Sequence, residues 1–152
     1  MMKKIMFVCL GNICRSPMAE FIFRDMVKKA GLEDEIICAS SATSMEEYGN
    51  PVYPPARRQL LNMGIDPAGK RAAPLQKNDY REYDLLLGME QRNIANMKRI
   101  CGGDPDGKIR RLLDHAENPR DIADPWYSGD FDTACRDIQE GCRILLEELA
   151  SK

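Results

Sequence analysis

The sequence predicts an α/β fold in which a parallel sheet carries helices on both faces. Short apolar segments of strand length alternate with longer segments whose apolar residues recur every three or four positions. This alternation is typical of parallel strands joined by right-handed helical crossovers. The chain has 152 residues, of which 43% are hydrophobic, and that is enough for one hydrophobic core. We therefore expect one domain spanning residues 1–152.

The predicted elements follow one another in a regular order. Strands are predicted at residues 5–10, 35–40, 83–87 and 108–113. Helices are predicted at residues 16–30, 56–63, 90–100 and 131–150, and a turn-rich connection is predicted at residues 65–79. The expected result is a four-stranded, parallel, doubly wound (flavodoxin-like) sheet with a functional site at the carboxyl end of the first strand.

Charge and hydropathy exclude several classes of partner. The 22 basic and 24 acidic residues give a formal net charge of −2, and no basic block is present. Nucleic acid and anionic membranes are therefore not expected partners. The apolar residues 5–10 are too few for a secretion signal, and no segment approaches the roughly 18 apolar residues of a membrane span. We expect a cytoplasmic protein.

The cysteines do not have the spacing of a metal site. The chain has six, which are Cys9, Cys14, Cys38, Cys101, Cys135 and Cys142, and none forms the paired CxxC pattern of a zinc or redox site. No metal or other cofactor is expected. Cys38, Cys135 and Cys142 are interpreted as core residues.

Residues 8–17, with the sequence VCLGNICRSP, connect the first predicted strand to the first predicted helix. Five residues separate Cys9 from Arg15, a length over which the backbone can curl around a tetrahedral anion with its N–H groups turned inward. Gly11 and Asn12 tolerate the positive φ angles that the curl requires, and Pro17 suits a first helical turn. The segment therefore predicts a phosphate-binding loop.

A cysteine inside such a loop is expected to act as a thiolate nucleophile. Inward N–H groups, a helix N-terminus and an arginine all favour loss of the thiol proton. Arg15 has the planar fork that grips two phosphate oxygens, and Ser16 can donate a hydrogen bond to the Cys9 sulfur. The substrate contacts predicted in the loop come from Leu10, Gly11, Asn12, Ile13, Cys14 and Ser16. The alternative is a buried cysteine at a strand end followed by an exposed arginine.

Residues 8–20, VCLGNICRSPMAE, resemble the signature loop of the low-molecular-weight protein-tyrosine phosphatases. The chain length and the Asp-Pro-Trp-Tyr sequence at residues 124–127 resemble the same family. The resemblance implies a phosphatase that hydrolyses protein phosphotyrosine, and small aryl phosphates, through a phosphocysteine at Cys9. It also implies that Asp124 is the general acid and base and that inorganic phosphate is released.

The residues around Asp124 make it a candidate acid in the company of the Cys9 loop, although an Asp-Pro pair by itself is usually a turn. The only histidine, His115, lies in a polar segment with no motif around it. Asp124 precedes a proline, which holds its backbone extended, and two large rings follow. The resemblance places those rings, Trp126 and Tyr127, at the mouth of the substrate cleft.

The chain departs from the family pattern in two places. Relatives have an aromatic residue, which stacks on the substrate ring, at the position of Glu46; Tyr48 follows two residues later and is predicted to contact substrate. Relatives also often have a histidine and an arginine where Lys70 and Ala73 stand.

Other functions were weighed against these residues. An arsenate reductase of the same fold needs two further cysteines, and residues 83–100 contain none. A phosphoarginine phosphatase of the family carries a threonine at the position of Ile13, where an apolar residue favours phosphotyrosine. A module that binds phosphotyrosine without hydrolysing it has no use for both a nucleophile and an acid. A nucleotide-binding enzyme with a P-loop is also not favoured, because no glycine loop is followed by GKS or GKT.

Cys14 has two interpretations. It is either a small apolar residue that fills space in the loop or, as the resemblance implies, a thiol that traps oxidised Cys9 as a disulfide. The protein is therefore predicted to be redox-sensitive.

Overall fold

The computed structural model of the protein describes residues 2–151, which form a sheet with helices on both faces. The strands in this range are β1 (Lys3–Cys9), β2 (Ile36–Ala42), β3 (Leu85–Gly88) and β4 (Ile109–Arg111). The helices are α1 (Arg15–Lys29), α2 (Pro54–Asn62), α3 (Asp79–Glu82), α4 (Gln91–Cys101), α5 (Pro125–Ser128) and α6 (Phe131–Ala150).

The strands lie in the order β2-β1-β3-β4, and every neighbouring pair is parallel. The chain leaves β1 toward one edge of the sheet, to β2, and then crosses to β3 on the other side. The connections after β1 and β3 therefore diverge, which leaves a crevice at the carboxyl ends of these two strands. The predicted four-stranded parallel α/β fold is confirmed.

The central strand β1 is buried on both faces. Ile5, Phe7 and Cys9 belong to a core cluster shared with α1, α2 and α6, whereas Met6 and Val8 belong to a second cluster shared with α4. Side chains alternate between the faces of a strand, so a continuous apolar segment is what a strand covered on both sides requires. Burial on both faces holds the carboxyl end of β1 in a fixed position.

Several boundaries differ from the predicted ones. β2 continues to Ala42 instead of ending at residue 40, because Ser40 and Ser41 remain paired with β1 although they are polar. β4 is shorter than predicted, because Asp114 accepts a hydrogen bond from the backbone N–H of Arg111 at 2.8 Å and a turn begins there. The short helices α3 and α5 were not predicted. Among residues 2–151, no helix combines the length and the apolar composition that crossing a bilayer requires.

Close packing places the start of α4 beside the crevice. A Cβ atom added to Gly88 would lie 2.9 Å from Ile94 and 3.0 Å from Asn93 and Met97. The buried Asn93 side chain accepts hydrogen bonds from the backbone N–H groups of Met89 and Glu90, each at 3.0 Å. The absence of a side chain at Gly88 thus lets α4 approach β3 and fixes Glu90 at the carboxyl end of the sheet.

Candidate active site

The loop from Cys9 to Ser16, here called the nucleophile loop, closes around the Cys9 sulfur. The backbone N–H groups of Asn12 and Ser16 donate to Cys9 Sγ at 3.3 and 3.4 Å, and Ser16 Oγ lies 3.1 Å from the same sulfur. Cys9 is buried at the end of β1. Hydrogen bonds donated to sulfur favour the thiolate form. Two backbone N–H groups and one hydroxyl group therefore surround the Cys9 sulfur.

Asn12 holds the curvature of this loop. Its φ angle of +59° is in the left-handed region, which asparagine tolerates better than most residues. Its amide nitrogen donates to Ser16 Oγ at 2.7 Å and to Ser40 Oγ at 2.9 Å, and its amide oxygen accepts from the backbone N–H of Ala73 at 3.2 Å. Because the side chain is buried and fully bonded, the strained backbone is held in one conformation.

Arg15 joins three segments of the chain in the crevice. It is only 1% exposed, and its guanidinium donates to Glu90 Oε2 at 3.0 Å and to the carbonyl oxygen of Ile122 at 2.8 Å. Its other terminal nitrogen lies 3.2 Å from Asp124 Oδ2. Burying a guanidinium is costly unless acceptors surround it, and Arg15 has three of them. The arginine is thus held rigidly where it can face an anion in the loop.

Asp124 is held by its own short helix. It is the N-cap of α5, and its Oδ1 atom accepts from the backbone N–H of Trp126 at 3.1 Å. Pro125 follows in the first helical turn, which is the position that proline favours. With its side chain 18% exposed, the carboxylate keeps access to solvent. This placement suits a group that must exchange a proton with substrate and with water.

One cleft brings together most of the residues predicted for the site. Nine of them line it: Cys9, Leu10, Gly11, Ile13, Cys14, Arg15, Asp124, Trp126 and Tyr127. Asn12 and Ser16 are buried and do not line the cleft, so their bonds support the loop from behind. Among the described residues, no group of three or more His, Cys, Asp or Glu side chains is arranged to hold a metal ion.

The rim of the cleft differs from the sequence prediction at one position. The rim consists of Glu46, Glu47, Trp126 and Tyr127. Tyr48, predicted to contact substrate, is 65% exposed and is not among the residues that line the cleft. Glu46 and Glu47 form that wall instead, because a tight turn at residues 45–48 carries the chain past the cleft and Glu47 packs against Gly11.

Sequence reasoning missed Tyr53, which supports the rim from the side. Its ring centroid lies 4.7 Å from that of Trp126 and 6.1 Å from that of Phe131. Its backbone N–H donates to the carbonyl oxygen of Ile13 at 2.9 Å. Tyr53 therefore connects the nucleophile loop to Trp126. An aromatic residue in an otherwise polar, proline-containing segment was the only signal for it.

Of two other titratable residues, Cys14 lines the cleft and His115 does not. Burial, followed by the neighbouring negative charges of Cys9 and Asp124, raises the pKa of the Cys14 thiol well above its ordinary value, although Arg15 opposes the effect. Cys14 is therefore a neutral thiol at pH 7. His115 does not line the cleft; it lies on the surface, where its ring is 2.7 Å from Glu148 Oε1.

Comparison with known proteins identifies the class to which this fold and cleft belong. Residues 4–152 match the family described as low molecular weight phosphotyrosine protein phosphatase. The chain belongs to this family, and its relatives are protein-tyrosine phosphatases. The predicted family and enzyme class are confirmed.

Individual relatives match over nearly their whole length. The chain is 38% identical over 150 residues to the low molecular weight protein-tyrosine-phosphatase YfkJ of Bacillus subtilis, covering 97% of this chain and 96% of YfkJ. The crystal structure of YfkJ superposes with a TM-score of 0.96 at 37% identity, covering 99% and 96%. A Drosophila arginine phosphatase is also similar, with a TM-score of 0.88 at 25% identity, covering 96% and 97%.

Proposed function

We propose that this phosphatase hydrolyses protein phosphotyrosine, and small aryl phosphates, by a two-step mechanism with Cys9 as nucleophile and Asp124 as general acid and base. The observation that carries the proposal is the convergence of Cys9, Arg15 and Asp124 in one cleft. A nucleophile, an anion clamp and a proton donor are the three groups that phosphoryl transfer through a cysteine requires.

In the first step, the Cys9 thiolate attacks phosphorus in line with the leaving tyrosine oxygen. The new S–P bond forms as the P–O bond to tyrosine breaks, and Asp124 gives its proton to the departing oxygen. The products are phosphocysteine and the free tyrosine hydroxyl. Two backbone N–H groups donate to Cys9 Sγ and Ser16 Oγ lies 3.1 Å from it, and this arrangement supports attack by this sulfur.

In the second step, the Asp124 carboxylate takes a proton from water as the water oxygen attacks phosphorus. The S–P bond breaks, inorganic phosphate leaves and the Cys9 thiolate is restored. Arg15 and the backbone N–H groups of residues 10–15 hold the equatorial oxygens in both steps. These donors are fixed before substrate arrives, so they stabilise the transition state without reorganisation.

The ion pair between Arg15 and Asp124 suggests how substrate prepares the acid. A phosphate group entering the loop competes with Asp124 for the Arg15 nitrogen that lies 3.2 Å from the carboxylate. The negative charge of the phosphate then faces a carboxyl group that has lost its cationic partner. Like charges at short distance favour the protonated form, which is the form that the first step consumes.

The residues that line the cleft bear on whether the substrate is phosphotyrosine or phosphoarginine. Ile13 lines the cleft and offers an apolar contact for a phenol ring. The acidic wall of Glu46 and Glu47 is the one feature that would suit a guanidinium. Assays of phosphotyrosine, phosphoarginine and arsenate with one purified sample separate the possibilities. We expect turnover of phosphotyrosine alone, and turnover mainly of either other substrate would contradict the proposal.

The acid role of Asp124 has its own test. Asp124→Asn should slow phosphotyrosine hydrolysis by about 10²–10⁴-fold, because the phenolate leaves without a proton. The loss should be smaller for p-nitrophenyl phosphate, whose leaving group needs less protonation. The activity of the unaltered enzyme should be highest on the acid side of neutrality. Equal losses for both substrates would show that Asp124 does not protonate the leaving group.

We further propose that residues 1–152 act as a single phosphatase domain in the cytoplasm, on phosphotyrosine-containing proteins. The small net charge of −2 supports neither a nucleic acid nor a membrane partner. Cell fractionation followed by immunodetection tests the location. Recovery of the protein in a membrane fraction would contradict it.

A further inference from the structure

The proposed acid, Asp124, is carried by α5, a helix of only four residues. The backbone hydrogen bonds of this helix are local: the N–H groups of residues 126–128 donate to Asp124, and that of Gly129 donates to Pro125. A single helical turn is not stable without contacts to other parts of the fold. The position of the carboxylate therefore depends on what α5 packs against.

Three contacts connect α5 with the rest of the molecule. Pro125 is buried, and Asp124 Oδ2 lies 3.2 Å from the guanidinium of Arg15. The Trp126 ring packs against Tyr53, with 4.7 Å between the ring centroids. This separation is within the range of favourable aromatic pairs. Because Trp126 is half exposed, the Tyr53 ring is a large part of the support that its side chain has.

Substrate weakens one of these three contacts. A phosphate group in the nucleophile loop competes with Asp124 for the Arg15 guanidinium, and the ion pair is then lost or lengthened. The acid must deliver its proton in that same state. The ring contact between Tyr53 and Trp126, together with the burial of Pro125, is what remains to hold α5 in place.

Tyr53 is itself fixed to both sides of the cleft. Its backbone N–H donates to the carbonyl oxygen of Ile13 at 2.9 Å, which ties it to the nucleophile loop. Its ring also stacks on Phe131, the first residue of α6, at 6.1 Å and an interplanar angle of 29°. Both rings pack against the main core cluster. One residue thus relates the nucleophile loop to the helix that carries the acid.

We propose that Tyr53 is a positioning residue for the general acid. Its ring holds Trp126, and with it α5, so that Asp124 keeps its distance from the nucleophile loop while phosphate occupies Arg15. Tyr53 is not among the residues that line the cleft, so it acts through Trp126 and not by touching substrate. The inference rests on the proposed acid role of Asp124.

The first test compares two leaving groups, because a misplaced acid matters only where a proton is needed. Tyr53→Ala should lower kcat/KM about tenfold for phosphotyrosine, which is part of the 10²–10⁴-fold that a general acid contributes. The loss for p-nitrophenyl phosphate should be about twofold or less, since its leaving group needs less protonation. Inhibition by inorganic phosphate should not change, because the donors of the loop remain.

Two variants control for the loss of a tyrosine. Tyr53→Phe keeps the ring and the backbone N–H, so it should restore kcat/KM for both substrates. Tyr83→Ala removes another partly buried tyrosine, which packs in the second core cluster just before β3, at the opposite end of the sheet. It should leave the ratio of the two kcat/KM values unchanged.

Two further measurements separate positioning from a general loss of stability. Trp126 is the only tryptophan in the chain, so tryptophan fluorescence reports on this ring alone. Tyr53→Ala should lower the anisotropy of this emission and increase its quenching by acrylamide, whereas Tyr53→Phe and Tyr83→Ala should not. In an Asp124→Asn background, Tyr53→Ala should cause no further loss with phosphotyrosine, because no acid is left to position.

Equal losses for both substrates in folded Tyr53→Ala would overturn the proposal, as would no loss for either. Unchanged Trp126 fluorescence, or a further loss in the Asp124→Asn background, would also reject it. If Tyr53→Ala does not fold, Tyr53→Leu, which keeps apolar volume but has no ring, replaces it with the same expected pattern. Failure of the proposed function is distinguishable, since Asp124→Asn would then slow both substrates equally or not at all, whatever the Tyr53 variants do.

Discussion

The nucleophile loop and the rim of the same cleft are held in different ways. In the loop, Asn12, Arg15 and Ser16 are at most 1% exposed, and each makes side-chain hydrogen bonds within the protein. On the rim, Trp126 and Tyr127 are 50% and 75% exposed. The loop is therefore determined by many mutually supporting bonds, whereas the rim depends mainly on local turns and on one aromatic contact.

This difference assigns different tasks to the two regions. The groups that stabilise a transition state must be fixed before substrate binds, and burial with complete hydrogen bonding provides that rigidity. The rim meets the rest of the substrate, where contacts shared by substrate and transition state alter affinity more than rate. Substitutions in the loop should therefore change kcat strongly, and substitutions on the rim should change KM by small factors.

The largest expected effect is that of Cys9→Ser. Hydroxyl is a far weaker nucleophile than thiolate, so turnover of an aryl phosphate should fall by at least about 10⁴-fold. Arg15 and the backbone N–H groups of residues 10–15 remain, so inorganic phosphate should still bind, as measured by calorimetry. Substantial residual turnover would mean that Cys9 is not the nucleophile, and the proposed division between loop and rim would fail.

Arg15→Lys should give the next largest loss. Lysine keeps the positive charge but loses the planar fork, so kcat should fall by about 10²–10³-fold. The matched control is Arg120→Lys, since Arg120 pairs with Asp137 and Glu140 away from the cleft. Nearly normal rates with Arg15→Lys would show that charge alone, without geometry, is sufficient in the loop.

The loop was predictable from the sequence because its determinants are neighbours along the chain. The strand, the curl and the helix start lie within residues 8–17, and each residue type suits its local conformation. The partners of Arg15 were not predictable. Glu90 and the carbonyl group of Ile122 are 75 and 107 residues away, and only the parallel sheet order brings them to the same crevice.

The end of β2 was missed because polar residues there are buried in the interior and hydrogen-bonded to other buried residues. β2 was predicted to end at residue 40, but Ser40 and Ser41 stay buried in the sheet, and Ser40 bonds to Glu20. A buried polar network gives no hydropathy signal, since its stability depends on partners that are distant in sequence. On the rim, the proximity of Tyr53 to Trp126 likewise depends on how α2 and α5 are placed in the fold.

Substitution of Cys14 tests whether this thiol protects Cys9 from irreversible oxidation. Peroxide should inactivate the enzyme by converting Cys9 to a sulfenic acid, and the Cys14 thiol should then displace water to form a disulfide. Cys14→Ser should be inactivated at a similar rate but should recover poorly when dithiol is added. Bound phosphate should protect both proteins by covering Cys9.

The raised pKa of Cys14 gives this prediction a pH dependence. The thiol is protonated at neutral pH, and its thiolate fraction increases as pH rises toward that pKa. The thiolate is the attacking species, so the Cys9–Cys14 link should form faster at about pH 8.5 than at about pH 6.5. Peptide mass mapping after brief peroxide treatment measures the link. If no link appears and recovery is independent of Cys14, this residue only fills space.

The smallest expected effect is that of Glu46→Tyr on the rim. An aromatic side chain at this position can stack on the substrate ring, and such contacts contribute about 0.5–1.5 kcal/mol. KM for phosphotyrosine should therefore fall by roughly two- to tenfold while kcat stays nearly constant. Inhibition by inorganic phosphate, which has no ring, should not change, and this comparison separates a ring contact from a general electrostatic effect.

Tyr48→Ala provides the matched comparison for the rim. Because Tyr48 lies outside the lining of the cleft, its removal should leave KM for phosphotyrosine unchanged. An increase in KM with Tyr48→Ala, together with no response to Glu46→Tyr, would mean that Tyr48 closes over bound substrate and forms the aromatic wall. The rim would then rearrange on binding, and its exposure in the structure would reflect an open state of the cleft, with the nucleophile loop remaining the only rigid part of the site.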